Sequence, residues 1–224
     1  MGPVASFIVL RGSCLLLDND GVLVDSAPSI KAAFVRWSDH FGLNGEEIYR
    51  TLHGRRAIEV ATAAITVHRL DADPRDAARL LDQFELEDAK NVRSLPGSAQ
   101  FLEPLQGAWT VVSSGPRALV EARLAAAGLP SPAHFVTADD VTHGKPHPES
   151  YLRGAALNRT APAKCIAFED STTGLYAATA AGCHVVQVSD ASPRFETAPY
   201  APHLGSLNVS VVDGDFQITL KADV

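Results

Sequence analysis

The 224-residue chain has only three cysteines, one methionine and two tryptophans, and no long run of apolar or basic residues. An odd cysteine count cannot pair off, and Cys14, Cys165 and Cys183 sit in apolar, strand-like surroundings. The expectation is therefore buried thiols in a reducing, cytoplasmic setting rather than a disulfide framework. The longest apolar stretch near the amino end, residues 5–10, is too short to span a membrane and lacks the basic segment that precedes a signal-peptide core. It reads as a strand turned by Arg11-Gly12-Ser13 into the next one. Lysine and arginine total 19 against 26 acids, a formal net charge of −7, so neither nucleic acid nor an anionic membrane surface is an expected partner.

Apolar mass, by contrast, is plentiful. With 46% hydrophobic residues the chain can bury a proper core, and its length suggests a main domain with a modest insertion. After residue 94, strand patterns (109–113, 134–137, 165–168, 184–188) alternate with helical ones, the signature of an α/β fold with a parallel sheet covered by helices on both faces. The apolar run Cys14-Leu15-Leu16-Leu17 belongs to the same sheet although it lies far away in sequence, so something is inserted between. Residues 27–93 read as helices alone. Pro28 opens a stripe of Ile30, Ala33, Phe34, Trp37 and Phe41, a second run spans Ala57 to Ile65, and a third begins at Pro74 and passes Ala78, Leu81 and Phe84. Ser26-Ala27-Pro28 and Ser94-Leu95-Pro96-Gly97 bracket this bundle as turn-rich crossings, suited to a cap hinged over a site.

The chemistry concentrates in Asp18-Asn19-Asp20-Gly21. Two carboxylates two residues apart follow the buried strand, at the carboxyl end where ligand sites of open α/β sheets collect, and Gly21 lets the backbone turn away so that both stay at the mouth. The pair suits a nucleophilic carboxylate beside a proton-transfer carboxyl, with a divalent cation near both. Ser113 ends another strand just before a helix, so its hydroxyl and the Ser114 amide lie where a helix amino terminus favours an anion, a phosphate clamp. His143 and His147 flank Lys145, but a Gly-Pro loop does not give them the common helical face of a zinc pair, and they read as loop residues.

Taken together, Asp18-Asn19-Asp20-Gly21-Val22-Leu23-Val24-Asp25-Ser26, Val111-Val112-Ser113-Ser114-Gly115, Gly144-Lys145-Pro146-His147-Pro148-Glu149 and Ala167-Phe168-Glu169-Asp170-Ser171 resemble, in order, the signatures of the haloacid-dehalogenase-like superfamily, in particular its phosphatases and phosphomutases with a helical cap. The resemblance implies a Rossmann-like core (1–26 and 94–224) and an all-helical cap (27–93). It implies that Asp18 attacks phosphorus to form an aspartyl-phosphate and that Asp20 protonates the leaving oxygen and later takes a proton from water. Lys145 would pair with Asp18 and the phosphate. Mg2+ would be held by the Asp18 carboxylate, the Asp20 carbonyl and the Asp170 carboxylate, with Glu169 orienting a metal-bound water. Leu52-His53-Gly54-Arg55-Arg56 resembles the cap loop that faces the site in sugar and polyol phosphatases, which makes His53, Gly54, Arg55 and Arg56 specificity candidates.

Two departures matter. Asn19 stands where the family commonly has an apolar residue, and Ile30 stands where the sugar phosphomutases carry a histidine. Both acids are present, unlike in the dehalogenases of the superfamily. The expectation is a Mg2+-dependent phosphatase acting on a small phosphorylated metabolite, a sugar or polyol phosphate monoester. A sugar phosphomutase is the first alternative and a catalytically silent binding module the second; the oligomeric state is left open.

Overall fold

The computed structural model describes residues 6–189, 195 and 198–221. Its strands are β1 (Phe7–Gly12), β2 (Cys14–Leu17), β3 (Val24–Asp25), β4 (Arg93–Ser94), β5 (Thr110–Val112), β6 (His134–Val136), β7 (Cys165–Glu169), β8 (His184–Val188), β9 (Tyr200–Ala201), β10 (Asn208–Val212) and β11 (Asp215–Lys221). Six of them form one sheet in the order β6-β5-β2-β7-β8-β9, with every neighbouring pair parallel. The chain is an α/β protein with a Rossmann-type parallel core, as the alternation after residue 94 implies.

The helices are α1 (Ala27–His40), α2 (Gly45–Leu52), α3 (Ala57–His68), α4 (Pro74–Asp88), α5 (Ser98–Leu102), α6 (Arg117–Ala126), α7 (Glu149–Leu157) and α8 (Thr172–Ala181). Strand β2 is covered on both faces, which is why it is apolar at every position rather than alternately. Leu15 and Leu17 face one cluster with Phe101 and Leu102 of α5 and Val120 and Leu124 of α6. Cys14 and Leu16 face the other, with Tyr151 and Ala155 of α7 and Ala177 and Ala178 of α8. Cys14 and Cys165 are buried free thiols, and Cys183 is a partly buried one.

Helices α1 to α4 lie between β3 and β4, which pair with each other, so the chain leaves and re-enters the core through one short ribbon. The helical stripes meet in a separate cluster of Ala33, Phe34, Trp37, Val60, Ala61, Ala64, Ala78 and Leu81. Helix α2 is an element that the periodicity did not announce. Its start is nonetheless marked by Asn44, whose side chain accepts the Glu47 amide hydrogen at 3.3 Å. No helix among the described residues is long and apolar enough to cross a membrane.

The amino-terminal strand differs from its expectation in two ways. Arg11 and Gly12 belong to β1 itself, leaving Ser13 alone as the bend into β2, and residue 5 lies outside the described residues. Strand β1 also joins neither β2 nor the parallel sheet but pairs antiparallel with β11, which in turn pairs with β10. Val212 faces Asp215 across a two-residue loop, Asp213-Gly214, a hairpin dipeptide that was there to be read.

Directly after β2, Asn19 is fully buried, and neither its Nδ2 nor its Oδ1 has a hydrogen-bond partner among the described residues. A buried amide without partners costs about 1–3 kcal/mol. Asn19→Leu should therefore raise the urea-denaturation free energy by about 1 kcal/mol or more, and no gain would show that the amide is satisfied in solution.

Candidate active site

Strand β2 delivers Asp18 to the sheet's carboxyl edge, and the Asp18 amide still donates to the Phe168 carbonyl at 3.0 Å, which fixes the backbone there. The chain then turns tightly. The Asn19 carbonyl accepts from the Leu23 and Val24 amides, both at 3.0 Å, and the Gly21 amide donates to the Val24 carbonyl at 2.9 Å. Gly21 has φ +82°, and a Cβ there would collide with the Asp170 carboxylate. Glycine thus lets Asp170 close in over the turn that carries Asp18 and Asp20.

Lys145 organises the floor of the site. It is 5% exposed, and its ammonium donates to Asp18 Oδ1 at 2.6 Å, Glu169 Oε1 at 2.5 Å and the Val112 carbonyl at 3.0 Å, three hydrogens for three acceptors. Burial pulls this ammonium toward its neutral form, but Asp18 and Glu169 outweigh burial and hold it above the ordinary lysine value. Burial likewise raises the Asp18 carboxyl well above the usual range, opposed by Lys145 and reinforced by Glu169, Asp170 and Asp20. Lys145 and the Arg123 guanidinium on Asp20 are outnumbered by Asp18, Asp20, Glu85, Glu169 and Asp170, which leaves the site short of positive charge.

Glu169 is bonded through both of its oxygens. Its Oε1 also accepts from the Tyr151 hydroxyl at 2.6 Å, and its Oε2 accepts from the Ser171 hydroxyl at 3.0 Å and the Ser171 amide at 3.3 Å. These bonds fix the carboxylate, Oε1 shared by Lys145 and Tyr151 and Oε2 held by Ser171. Tyr151 was not anticipated; burial, then the neighbouring Glu169 charge, pushes its hydroxyl well above the ordinary phenol value and keeps it a donor.

The remaining motif residues frame this floor. Ser113 is buried and its Oγ accepts the Gly115 amide hydrogen at 3.1 Å, so the cavity wall there is made by Ser114 and Gly115 while the Ser113 hydroxyl keeps its own hydrogen to donate. His143 and His147 are exposed loop residues with ring centroids 4.6 Å apart, and together with Glu149 they bring ligand atoms within 4.8 Å of one another. Glu149 shapes their loop, accepting the Thr142 amide at 2.8 Å and the His143 amide at 2.9 Å, bonds that hold its carboxyl down at about 2.

Above the floor lies a cavity of about 260 Å³ roofed by the inserted helices. His53, Gly54 and Arg55 line it, together with Tyr49, Asp82 and Glu85. Arg56 does not. It is clamped to Glu59 at 2.6 and 2.8 Å and donates to the Val141 carbonyl at 3.1 Å, so its guanidinium docks α3 on the core rather than lining the cavity with His53, Gly54 and Arg55. Sequence reasoning also passed over Arg123. This residue is 1% exposed on α6, donating to Asp20 at 3.0 Å and Glu85 at 2.7 Å. A signal existed, because Arg123 falls on the buried stripe of Leu119 and Val120, where a charge needs a partner.

Asp18, Glu169 and Asp170 bring carboxylate oxygens within 4.8 Å of one another. Hard oxygen donors with surplus negative charge fit a divalent cation such as Mg2+. Lys145 bonds one oxygen of Asp18 and one of Glu169 within this cluster.

Paired acids at a strand end, a buried lysine bonded to the first of them and inserted helices over a small cavity thus form one site at the carboxyl edge of the sheet. The chain belongs to the haloacid dehalogenase-like hydrolase family, whose model matches residues 13–182. It is 37% identical over 183 residues to hexitol phosphatase A of Escherichia coli (strain K12), covering 80% of this chain and 84% of that protein. It is 32% identical over 194 residues to the fructose-1-phosphate phosphatase of the same organism, covering 80% and 97%. In fold it is similar to the β-phosphoglucomutase of Clostridium difficile, with a TM-score of 0.77 over 88% of this chain and 93% of that one at 19% identity. These relationships place it among the phosphoric monoester hydrolases.

Asp82 gives the roof a measurable signature. Burial, with repulsion from Glu85 and Asp139 and against the pull of Arg123, lifts its carboxyl from 3.8 to about 7. Between those values the folded chain keeps a proton that the unfolded chain has released, so stability falls as pH rises. Asp82→Asn removes that loss. Its stability relative to the parent should be level below pH 4, grow to about 1–3 kcal/mol by pH 8 after allowance for partial exposure, and be read from urea denaturation at both ends. An unchanging difference would return Asp82 to an ordinary acid.

Proposed function

We propose that this protein is a Mg2+-dependent phosphatase of small sugar or polyol phosphate monoesters, working through an aspartyl-phosphate on Asp18. The observation that carries the reading is Asp18 on the floor of a small roofed cavity, ion-paired to buried Lys145 and two residues from Asp20. An Asp18 oxygen attacks phosphorus, the P–O bond to the alcohol breaks, and Asp20 delivers the proton that the departing oxygen needs. A water then attacks the phosphoryl group, its proton passes to Asp20, the bond to Asp18 breaks, and inorganic phosphate leaves. Lys145 keeps positive charge beside the transferring group, and Ser113 and the Ser114 amide are suited to hold its oxygens. Mg2+, when held by Asp18, Asp170 and the Asp20 carbonyl, supplies further positive charge to the phosphoryl oxygens.

The roof supports the substrate class. Tyr49, His53, Arg55 and Asp82 offer donors and acceptors to hydroxyl groups, while Glu85 is taken up by Arg123. Apolar Ile30 and Phe34 complete the lining, and the absence of a proton-transfer group at Ile30 favours hydrolysis over phosphate migration. The thiols and the acidic charge suit a cytoplasmic enzyme.

Phosphate release from hexitol, fructose, glycerol and pentose phosphates, with and without Mg2+, tests this. Chelation should abolish turnover. Asp18→Asn should lower it by about 10⁴-fold or more and Asp20→Asn by about 10²–10⁴-fold. Arg55→Ala should change the ranking of esters without altering the Mg2+ requirement. Isomer formation faster than phosphate release would select the mutase, substantial turnover by Asp18→Asn would remove the nucleophile, and no turnover by the parent on any ester would leave a binding module.

A further inference from the structure

We propose that Arg123 is a positioning residue that fixes the Asp20 carboxylate and, through Glu85, ties that carboxylate to the helical insertion, so that leaving-group protonation depends on how the insertion sits on the core. The inference rests on the phosphatase reading above. Its basis is one guanidinium held between two bodies. Arg123 belongs to core helix α6, its Nη1 donates to Asp20 Oδ1 at 3.0 Å, and its Nη2 donates to Glu85 Oε2 at 2.7 Å on inserted helix α4. The side chains of Arg123 and Glu85 are 2% and 13% exposed, so little water screens the pair. Arg123 Nε has no partner among the described residues, and the two terminal bonds alone therefore set the plane of the fork.

A guanidinium is rigid and planar, with its donors at fixed angles to one another. Shifting the acceptor on one side rotates the donor on the other. Helix α4 packs directly against α6, so a shift of α4 on α6 moves Glu85 and passes through Arg123 to Asp20. A surface pair in this place would be interchangeable and weak. A buried one makes a discrete choice, because moving Glu85 away leaves a buried charge without its partner.

The leaving group separates positioning from mere structural support. An alkoxide leaving a polyol phosphate needs the Asp20 proton as its bond breaks, whereas 4-nitrophenolate departs without one. The comparison uses kcat/KM, which reports steps up to phosphorylation of Asp18 and is blind to the shared hydrolysis of the intermediate. For Arg123→Met, kcat/KM on the best alkyl ester should fall by about 100-fold, against less than about fivefold on 4-nitrophenyl phosphate. Arg123→Lys keeps the charge but not the fork and should fall between. Glu85→Gln never touches Asp20, yet it should show the same alkyl-selective loss at smaller amplitude, with the Mg2+ concentration for half-maximal rate unchanged in all three.

Equal proportional losses on alkyl and aryl esters overturn the positioning role. An alkyl-selective loss in Arg123→Met with a silent Glu85→Gln overturns the link to the insertion. Should Arg123→Met fail to fold, Arg123→Lys and Glu85→Gln carry the same comparison. A parent enzyme that hydrolyses neither ester would instead defeat the phosphatase reading itself, a result distinct from either.

Discussion

A single buried ammonium sets the architecture of the site. Lys145 touches the Asp18 carboxylate at the end of β2, the Val112 carbonyl on β5 and the Glu169 carboxylate on β7, and these three strands are neighbours in the sheet. The lysine arrives from the loop before α7, and the same helix supplies Tyr151 to the far side of Glu169. Removing the ammonium would leave Asp18 and Glu169 facing each other in a poorly solvated pocket, while removing either acid would leave the ammonium short of a partner. Strand order, the loop and α7 therefore have to be right together before the floor exists at all.

That dependence explains why the core of the site was legible in the chain and its surroundings were not. Asp18, Asp20, Lys145 and Asp170 stand next to glycines, prolines and strand ends, and local sequence restricts where such residues can go. The parallel sheet could be read for the same reason, since buried strands with no polar face leave unbroken apolar runs. Glu169 shows the limit. Its motif position placed it near the cation, but its partners Tyr151 and Lys145 are 18 and 24 residues away, and only folding decides which of its neighbours claims its oxygens.

Arg56 and Arg123 make the same point in opposite directions. Arg56 stands in a loop that resembles a substrate-facing one, yet a carboxylate one helical turn ahead, Glu59, captures its guanidinium before a ligand could. Arg123 lies in an alanine-rich helix, meeting Asp20 within the core and Glu85 across the contact of α6 with α4. The contact between insertion and core is thus partly polar. The insertion buries its apolar side chains in a cluster of its own, and charged bonds at Arg56 and Arg123 help to seat it. Hydrogen bonds of that kind specify one docked arrangement, where a greasy surface would tolerate several.

The pairing of β1 with β11 carries a consequence for how this chain reaches its native state. Phe7 lies opposite Lys221, so about 210 residues separate the partners, and closing a loop of that length costs on the order of 5 kcal/mol in chain entropy. Strand β1 precedes the strand that bears Asp18 by a single residue and has no other strand partner among the described residues. During synthesis the parallel core can collapse around β2, β5 and β7 while β1 waits, its backbone edge open, until β11 emerges to pair with it. Strand β1 is thereby made before the strand that leads to Asp18 and secured after it.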